Sequence, residues 1–252
     1  MDVVQIRQRR AGGPARARNQ LVLRGQRKCQ RALGYAAAAL ADGPIGSMCI
    51  LADRMPLTPE QTLMFYGQGL FPMDFSGELR WQSPDPRSVL PLRDLRVSSR
   101  MRALLRRSPF EIRFDSDLEG VLAGCADRAE TWLTPRVRGI YLALGAMGAV
   151  HTVEAWQDGR LVAGSYGVTI GRVFSGESAF SRVGDAGKIA FIRKAEHLRA
   201  QGFDAIDCQE HKAHFARFGA VEMAREDYRR LLARGLAAPA SFGAPRPIAA
   251  SA

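Results

Sequence analysis

Apolar and polar positions alternate along residues 110–114, 151–156 and 160–171, the two-residue period of strands that bury one face. Along 118–126, 135–147 and 188–200 the apolar positions recur at three- and four-residue steps, which predicts helices. Gln157-Asp158-Gly159 joins two of the strands, and Asp-Gly between alternating runs predicts a hairpin. Gly171-Arg172 leads into a third strand from Val173. Residues 205–208 read as a short buried strand, 213–218 as a short helix, and 223–232 as a helix in which Glu226 and Arg230 sit one turn apart. Phe180, Ile189, Phe191 and Ile192 are expected to face the sheet. Upstream, Thr58-Pro59-Glu60-Gln61 offers a capping hydroxyl, a proline at the first helical position and a glutamine at the third, so a helix is predicted over 58–67. Residues 100–107 read as a basic helical turn.

Two segments carry unusual residues without a period. Gly69-Leu70-Phe71-Pro72-Met73 and Trp81-Gln82-Ser83-Pro84-Asp85-Pro86-Arg87 read as proline-locked loops, and the aromatics in them are either a stacking platform for a base or a small hydrophobic cluster. In residues 173–181, which lead to a strand-to-helix transition, the one charged residue is Glu177, after Gly176. It is either a ligand-orienting group or a solvated residue on an edge strand.

Composition narrows the class. The chain has 252 residues, 46% hydrophobic and 24% charged, ordinary for a globular protein with a core. Of its net charge of +11, residues 1–31 hold nine Arg or Lys against Asp2 alone, a net +8. The basic character therefore belongs mainly to a leader, 1–54, which is expected to lack packed structure. It reads as an RNA-binding arm, a flexible tail, an extension upstream of a start at Met48 or Met55, or a transit peptide. Cys29, Cys49, Cys125 and Cys208 form no CxxC pair, which predicts reduced thiols, and Cys208 with His211 and His214 makes a poor tetrahedral set, so no metal is expected. The apolar runs, Tyr35 to Ala41 among them, are too short to span a bilayer, and a soluble, cytoplasmic protein is expected.

Three antiparallel strands followed by helix, strand, helix and a further strand is the order of an acyltransferase sheet of the GNAT type, an α+β fold. A coenzyme A user of that type needs a basic or amide residue and glycines ahead of the helix, so that backbone N–H groups hold the pyrophosphate. Here Ser181-Arg182-Val183-Gly184-Asp185-Ala186 puts a serine and an acid there. Coenzyme A acetyl transfer is disfavoured on that ground.

The two loop motifs, Thr131-Trp132-Leu133, His151-Thr152-Val153-Glu154, Gly176-Glu177-Ser178 with Phe180-Ser181-Arg182, and Ile206-Asp207-Cys208-Gln209 with Phe218-Gly219-Ala220, taken in that order, resemble the bacterial leucyl/phenylalanyl-tRNA-protein transferases. The resemblance runs from about Leu57 to Leu232. It implies a small N-terminal domain (55–95), a GNAT-like (acyl-CoA N-acyltransferase-like) catalytic domain (96–235) and, outside the match, the leader and a Pro/Ala-rich tail (236–252). The implied activity moves an amino acid of the Leu, Phe or Met class from aminoacyl-tRNA to the N-terminal amine of proteins beginning with Arg or Lys, creating an N-degron. No cofactor and no metal are implied, and a monomer is expected. The alternative is a weakened member that binds aminoacyl-tRNA or degrons without transfer.

By the same resemblance Asp207, Gln209 and Glu177 are the catalytic candidates. Asp207 and Gln209, two apart on a strand, are expected on one face as a hydrogen-bonded carboxylate–amide unit. Ser165, Ala179, Phe191, Ile206, Trp81 and Trp132 are the substrate-binding candidates, and Arg80, Arg87, Arg100, Arg102, Arg106 and Arg107 are the candidates for tRNA phosphates. Ser165 and Ala179 stand where the family has large apolar residues, often Met, in the donor side-chain pocket. Phe191 is read as a third pocket position. The changes put about 1–3 kcal/mol of donor discrimination in question, and Glu210-His211-Lys212 is more charged than the family pattern.

Overall fold

The computed structural model describes residues 58–75 and 78–243, together with the backbone of 48–50. The leader call over 1–54 and the start-site reading at Met55 therefore lie outside the described residues, save that 48–50 form strand β1 (Met48–Ile50). β2 (Phe71–Phe75) and β3 (Glu78–Gln82) complete a three-stranded antiparallel sheet in the order β1-β3-β2. Helix α1 (Pro59–Gly67) precedes it, and its entry is built as the sequence predicts: the Thr58 hydroxyl accepts from Gln61 N–H, and the Gln61 side chain accepts from Thr58 N–H.

The main sheet has seven strands: β4 (Arg87–Pro91), β5 (Glu111–Phe114), β6 (Val150–Gln157), β7 (Arg160–Ile170), β8 (Val173–Ser181), β9 (Ala205–Gln209) and β10 (Val221–Met223). They lie in the order β10-β4-β9-β8-β7-β6-β5. Every pairing is antiparallel except β8 with β9, which α5 (Ala186–Ala200) connects as a crossover. The turn between β6 and β7 places Asp158 and Gly159 at φ 50° and 71°, the two left-handed residues that an Asp-Gly hairpin requires.

The helices cover both faces. α1, α3 (Leu118–Ala126), α4 (Pro135–Ala146) and α7 (Arg225–Ala237) share a core with Tyr166, Val168 and Ile170 of β7, in which Leu63, Tyr141, Leu144 and Leu232 are fully buried. α5 packs Ala186, Ala190, Ala195 and Leu198 against Ala163, Phe174 and Ile206 in a second cluster. α2 (Ser99–Arg106), capped by Ser98, packs beside α5, and the short α6 (Ala213–Ala216) sets Phe215 against the second cluster. Buried Glu154 fixes the turn into α3: it accepts from the backbone of Ser116 and Asp117, from Thr152 and Trp156, and from the Ser116 hydroxyl. Among the described residues no helix is long and apolar enough to cross a membrane.

The structure differs from the sequence reading in three segments. Residues 69–73 and 81–87, read as loops, contribute strands, because Pro72 sits on the outer strand β2, where a missing N–H costs little. β4 wedges antiparallel beside β9, pairing Val89 with Asp207 and Leu90 with Ile206. The predicted tail begins as the last turn of α7, and Phe242 then returns to the core with 3% exposure, stacked at 4.1 Å on His151, its carbonyl accepting from His197 Nε2 at 2.8 Å. One aromatic in a Pro/Ala stretch leaves no period to read. Residues 244–252 lie outside the described residues.

Candidate active site

β8 and β9 run side by side for only three pairs, Val173 with Ala205, Phe174 with Ile206 and Ser175 with Asp207. Beyond Ser175 and Asp207 the two strands part. The residues that follow, Glu177 on β8 and Gln209 on β9, line a cleft of about 620 Å³, within the usual range for a small-ligand site.

Asp207 is fully buried and saturated with donors. Arg87 approaches it side-on, Nε to Oδ1 at 2.8 Å and Nη2 to Oδ2 at 2.6 Å; Tyr228 donates its hydroxyl to Oδ2 at 2.8 Å, and the backbone N–H of Gln209 donates to Oδ1 at 2.8 Å. Four donors leave no strong acceptor site for substrate. The predicted Asp207–Gln209 unit therefore exists, but it is made through the Gln209 backbone. Gln209 adopts φ 65°, left-handed for a residue with a side chain, so it leaves the regular strand alternation. Its side-chain Nε2 is buried, has no hydrogen-bond partner, and belongs to the cleft lining.

Glu177 is half-buried among tyrosines. Tyr141 donates to it at 2.9 Å, Tyr66 lies 3.1 Å from the Tyr141 hydroxyl, and Ser175 donates from the same strand face at 2.8 Å. Burial, with the Asp207 charge adding to it, pushes its carboxyl up to about 7, against the lowering effect of the Ser175 and Tyr141 hydrogen bonds. The acid is thus poised near neutrality.

The remaining candidates divide clearly. Ser165 and Ala179 are direct partners across β7 and β8, and both line the cleft with Phe191, Ile206 and Trp132. Trp132 stands edge-on to Tyr141 at 6.3 Å. Trp81 does not join them: it is fully buried in the small sheet, 4.5 Å from the ring of Phe65 and 6.2 Å from that of Tyr66, so the hydrophobic-cluster reading of that segment applies. Arg87 has 1% exposure, enclosed by Asp207, the Gly69 carbonyl and the rings of Phe71 and Tyr228, and has no surface to offer a phosphate. Arg80 is half-buried on β3. Arg100, Arg102, Arg106 and Arg107 are exposed on and just after α2, which packs beside α5. The cleft rim adds Arg128, Arg182, Lys188 and Lys212. At the start of α5 the Ser181 hydroxyl accepts from Gly187 N–H at 3.1 Å, occupying an amide that a pyrophosphate would need.

Sequence reasoning missed Tyr141, Tyr228, Ser175 and Lys194. Ser175 was legible, two residues from Glu177 on one strand face. Lys194 was also legible, lying among Ala190, Phe191 and Leu198 on the apolar side of α5. The tyrosines come from distant helices and carry no local signal.

Residues 89–233 match the profile of the family described as leucyl/phenylalanyl-tRNA protein transferase. A leucyl/phenylalanyl-tRNA–protein transferase of Herpetosiphon aurantiacus is 43% identical over 74% of this chain and 98% of its own length. Relatives with the same name from Ruegeria pomeroyi and Nitratidesulfovibrio vulgaris are 45% and 43% identical, over 75% and 80% of this chain and 92% and 87% of their own.

Proposed function

The chain belongs to the leucyl/phenylalanyl-tRNA–protein transferase family, aminoacyltransferases that act from aminoacyl-tRNA on proteins, and from that premise we propose that the cleft between β8 and β9 is where transfer occurs. The acceptors are proteins beginning with Arg or Lys, and the product is an N-degron made in the cytoplasm by a monomer. The catalytic domain is GNAT-like, and because β4 (Arg87–Pro91) lies between β10 and β9 in the main sheet it takes in that strand, so the small N-terminal domain ends before Arg87 and not at 95.

One observation carries this reading. The buried, unpartnered Gln209 amide and the near-neutral Glu177 carboxyl line one cleft, with Asp207 behind them. In transfer the acceptor amine attacks the ester carbonyl carbon. The new C–N bond forms, the C–O bond to the tRNA ribose breaks, and the proton lost by the amine ends on the departing ribose oxygen. Gln209 Nε2 donates to the carbonyl oxygen as charge develops on it. Glu177, ionised, holds the acceptor's ammonium and takes its surplus proton, a role that suits a group titrating near the pKa of an α-amine. Asp207 acts as a positioning residue: it fixes the Gln209 backbone, while Arg87 cancels its charge, so the acceptor cation is drawn to Glu177. Positioning of two substrates in one cleft supplies much of the rate without any cofactor.

Exposed Arg100, Arg102, Arg106 and Arg107, with the basic cleft rim, suit the phosphates of an acceptor stem. The binding-only alternative leaves the unpartnered amide without a task. Purified protein given a set of charged tRNAs and a peptide beginning with Arg tests the proposal. Peptide extension that Gln209→Ala cuts at least about a hundredfold is expected, and an absence of extension with every charged tRNA would overturn it.

A further inference from the structure

The cleft contains a buried cation that the transfer chemistry does not use. Lys194 has 5% exposure and lies in the cleft lining. Its ammonium is 3.2 Å from the Ser165 hydroxyl and 5.4 and 5.3 Å from the ring centres of Phe174 and Phe191. Among the described residues no carboxylate is within ion-pair reach of it, since Asp207 is taken by Arg87 and Tyr228, and Glu177 by Tyr141 and Ser175. The thiols nearby supply no counter-charge either: burial pushes Cys125 up to about 11 and Cys208 up to about 12, so both stay neutral. Burial pulls the lysine itself down to about 8. A buried amine with one hydroxyl and two ring faces as company is an incomplete site.

Resting on the reading of this cleft as the transfer site, we propose that Lys194 selects a donor aminoacyl group with an anionic side chain, aspartyl or glutamyl, whose carboxylate pairs with the ammonium and the Ser165 hydroxyl. Three features favour this occupant. The facing pair Ser165 and Ala179 is small, which leaves room beside the amine for a short side chain. The ammonium is too deep for a backbone phosphate, and the exposed arginines already meet that need. Lys194 repels ammonium groups and pairs with an anion, so it distinguishes the side-chain carboxylate of an acidic aminoacyl group from that group's own α-amine, and Glu177 is left to the acceptor. A leucyl or phenylalanyl side chain would bury the amine with its charge uncompensated, the arrangement that a polar site rejects most strongly.

Competition among charged tRNAs, read as the ratio of kcat/KM values, tests this. The wild-type chain is expected to use aspartyl- or glutamyl-tRNA at least tenfold better than leucyl-tRNA, Lys194→Leu to reverse that order, and Lys194→Gln to lose the acidic preference while keeping some transfer. A wild-type preference for leucyl- or phenylalanyl-tRNA that Lys194→Leu leaves within twofold overturns the inference and leaves the transferase reading standing. Calorimetry with amide-linked glutamyl- and phenylalanyl-adenosine gives a readout independent of turnover. Tighter glutamyl binding that Lys194→Leu removes supports the inference even in a chain that transfers nothing, and equal or weaker glutamyl binding by the wild type sinks it.

Discussion

Arg87 and Asp207 form a bidentate ion pair, 2.8 and 2.6 Å, in which both side chains are buried. The pair ties β4 to β9 immediately behind the parting of β8 and β9, so the fold and the site depend on the same contact. Removing the arginine leaves a carboxylate buried without its partner, which costs about 3–5 kcal/mol. Arg87→Met is therefore expected to lower the unfolding free energy measured by urea titration by that amount. A loss under 1 kcal/mol would show that the pair is not confined as described.

Glu177 titrates near neutrality in the folded chain and near 4.5 when exposed. Between those values the folded chain keeps a proton that the unfolded chain has lost, so the group's contribution to stability is full below pH 4.5 and declines as pH rises through about 7. Glu177→Gln is expected to remove that decline, leaving the variant about 2 kcal/mol more stable relative to wild type at pH 8 than at pH 4.5. In transfer, which uses the ionised form, the same change should depress kcat and flatten the rise in rate between pH 6 and 8. Denaturation curves at several pH values and a pH–rate profile check both halves.

Gln209 combines a strained backbone with an unused amide. A left-handed φ costs a residue with a Cβ about 1 kcal/mol, a cost that glycine escapes. Gln209→Gly should therefore hold or raise the thermal midpoint while cutting kcat by about 10²–10³ as the oxyanion donor disappears. A variant that loses stability and activity together would count against the assignment.

Much of this was readable from residue order. Thr58, Pro59 and Gln61 announced α1 through capping chemistry, Asp158-Gly159 announced the hairpin, and Asp207, Gln209, Glu177, Ser165, Ala179, Phe191 and Ile206 come together in one cleft. The residues that sequence misplaced are those whose partners are remote. Arg87 looks like any arginine after a proline loop, and only its pairing with Asp207, 120 positions away, makes it a core residue. Trp81 reads as platform or core until the small sheet buries it. The return of Phe242 to His151 and His197 follows a stretch with no apolar period at all.

The exposed arginines of α2 make a prediction that separates them from Arg87. Replacing Arg100, Arg102, Arg106 and Arg107 together by alanine is expected to raise KM for aminoacyl-tRNA and to lower the slope of log K against log salt by roughly 2–4. The thermal midpoint should stay within the range of ordinary surface changes. An unchanged salt slope would move the tRNA surface elsewhere.

The central claim is that this cleft transfers an amino acid from tRNA to a protein N-terminus. The most direct measurement is extension of a peptide beginning with Arg by purified wild-type, Gln209→Ala and Glu177→Gln chains, across leucyl-, phenylalanyl-, methionyl-, aspartyl- and glutamyl-tRNA. The account predicts extension by the wild type with at least one donor, reduced at least a hundredfold by Gln209→Ala in a chain that remains folded. Extension by Gln209→Ala and Glu177→Gln at the wild-type rate would contradict it.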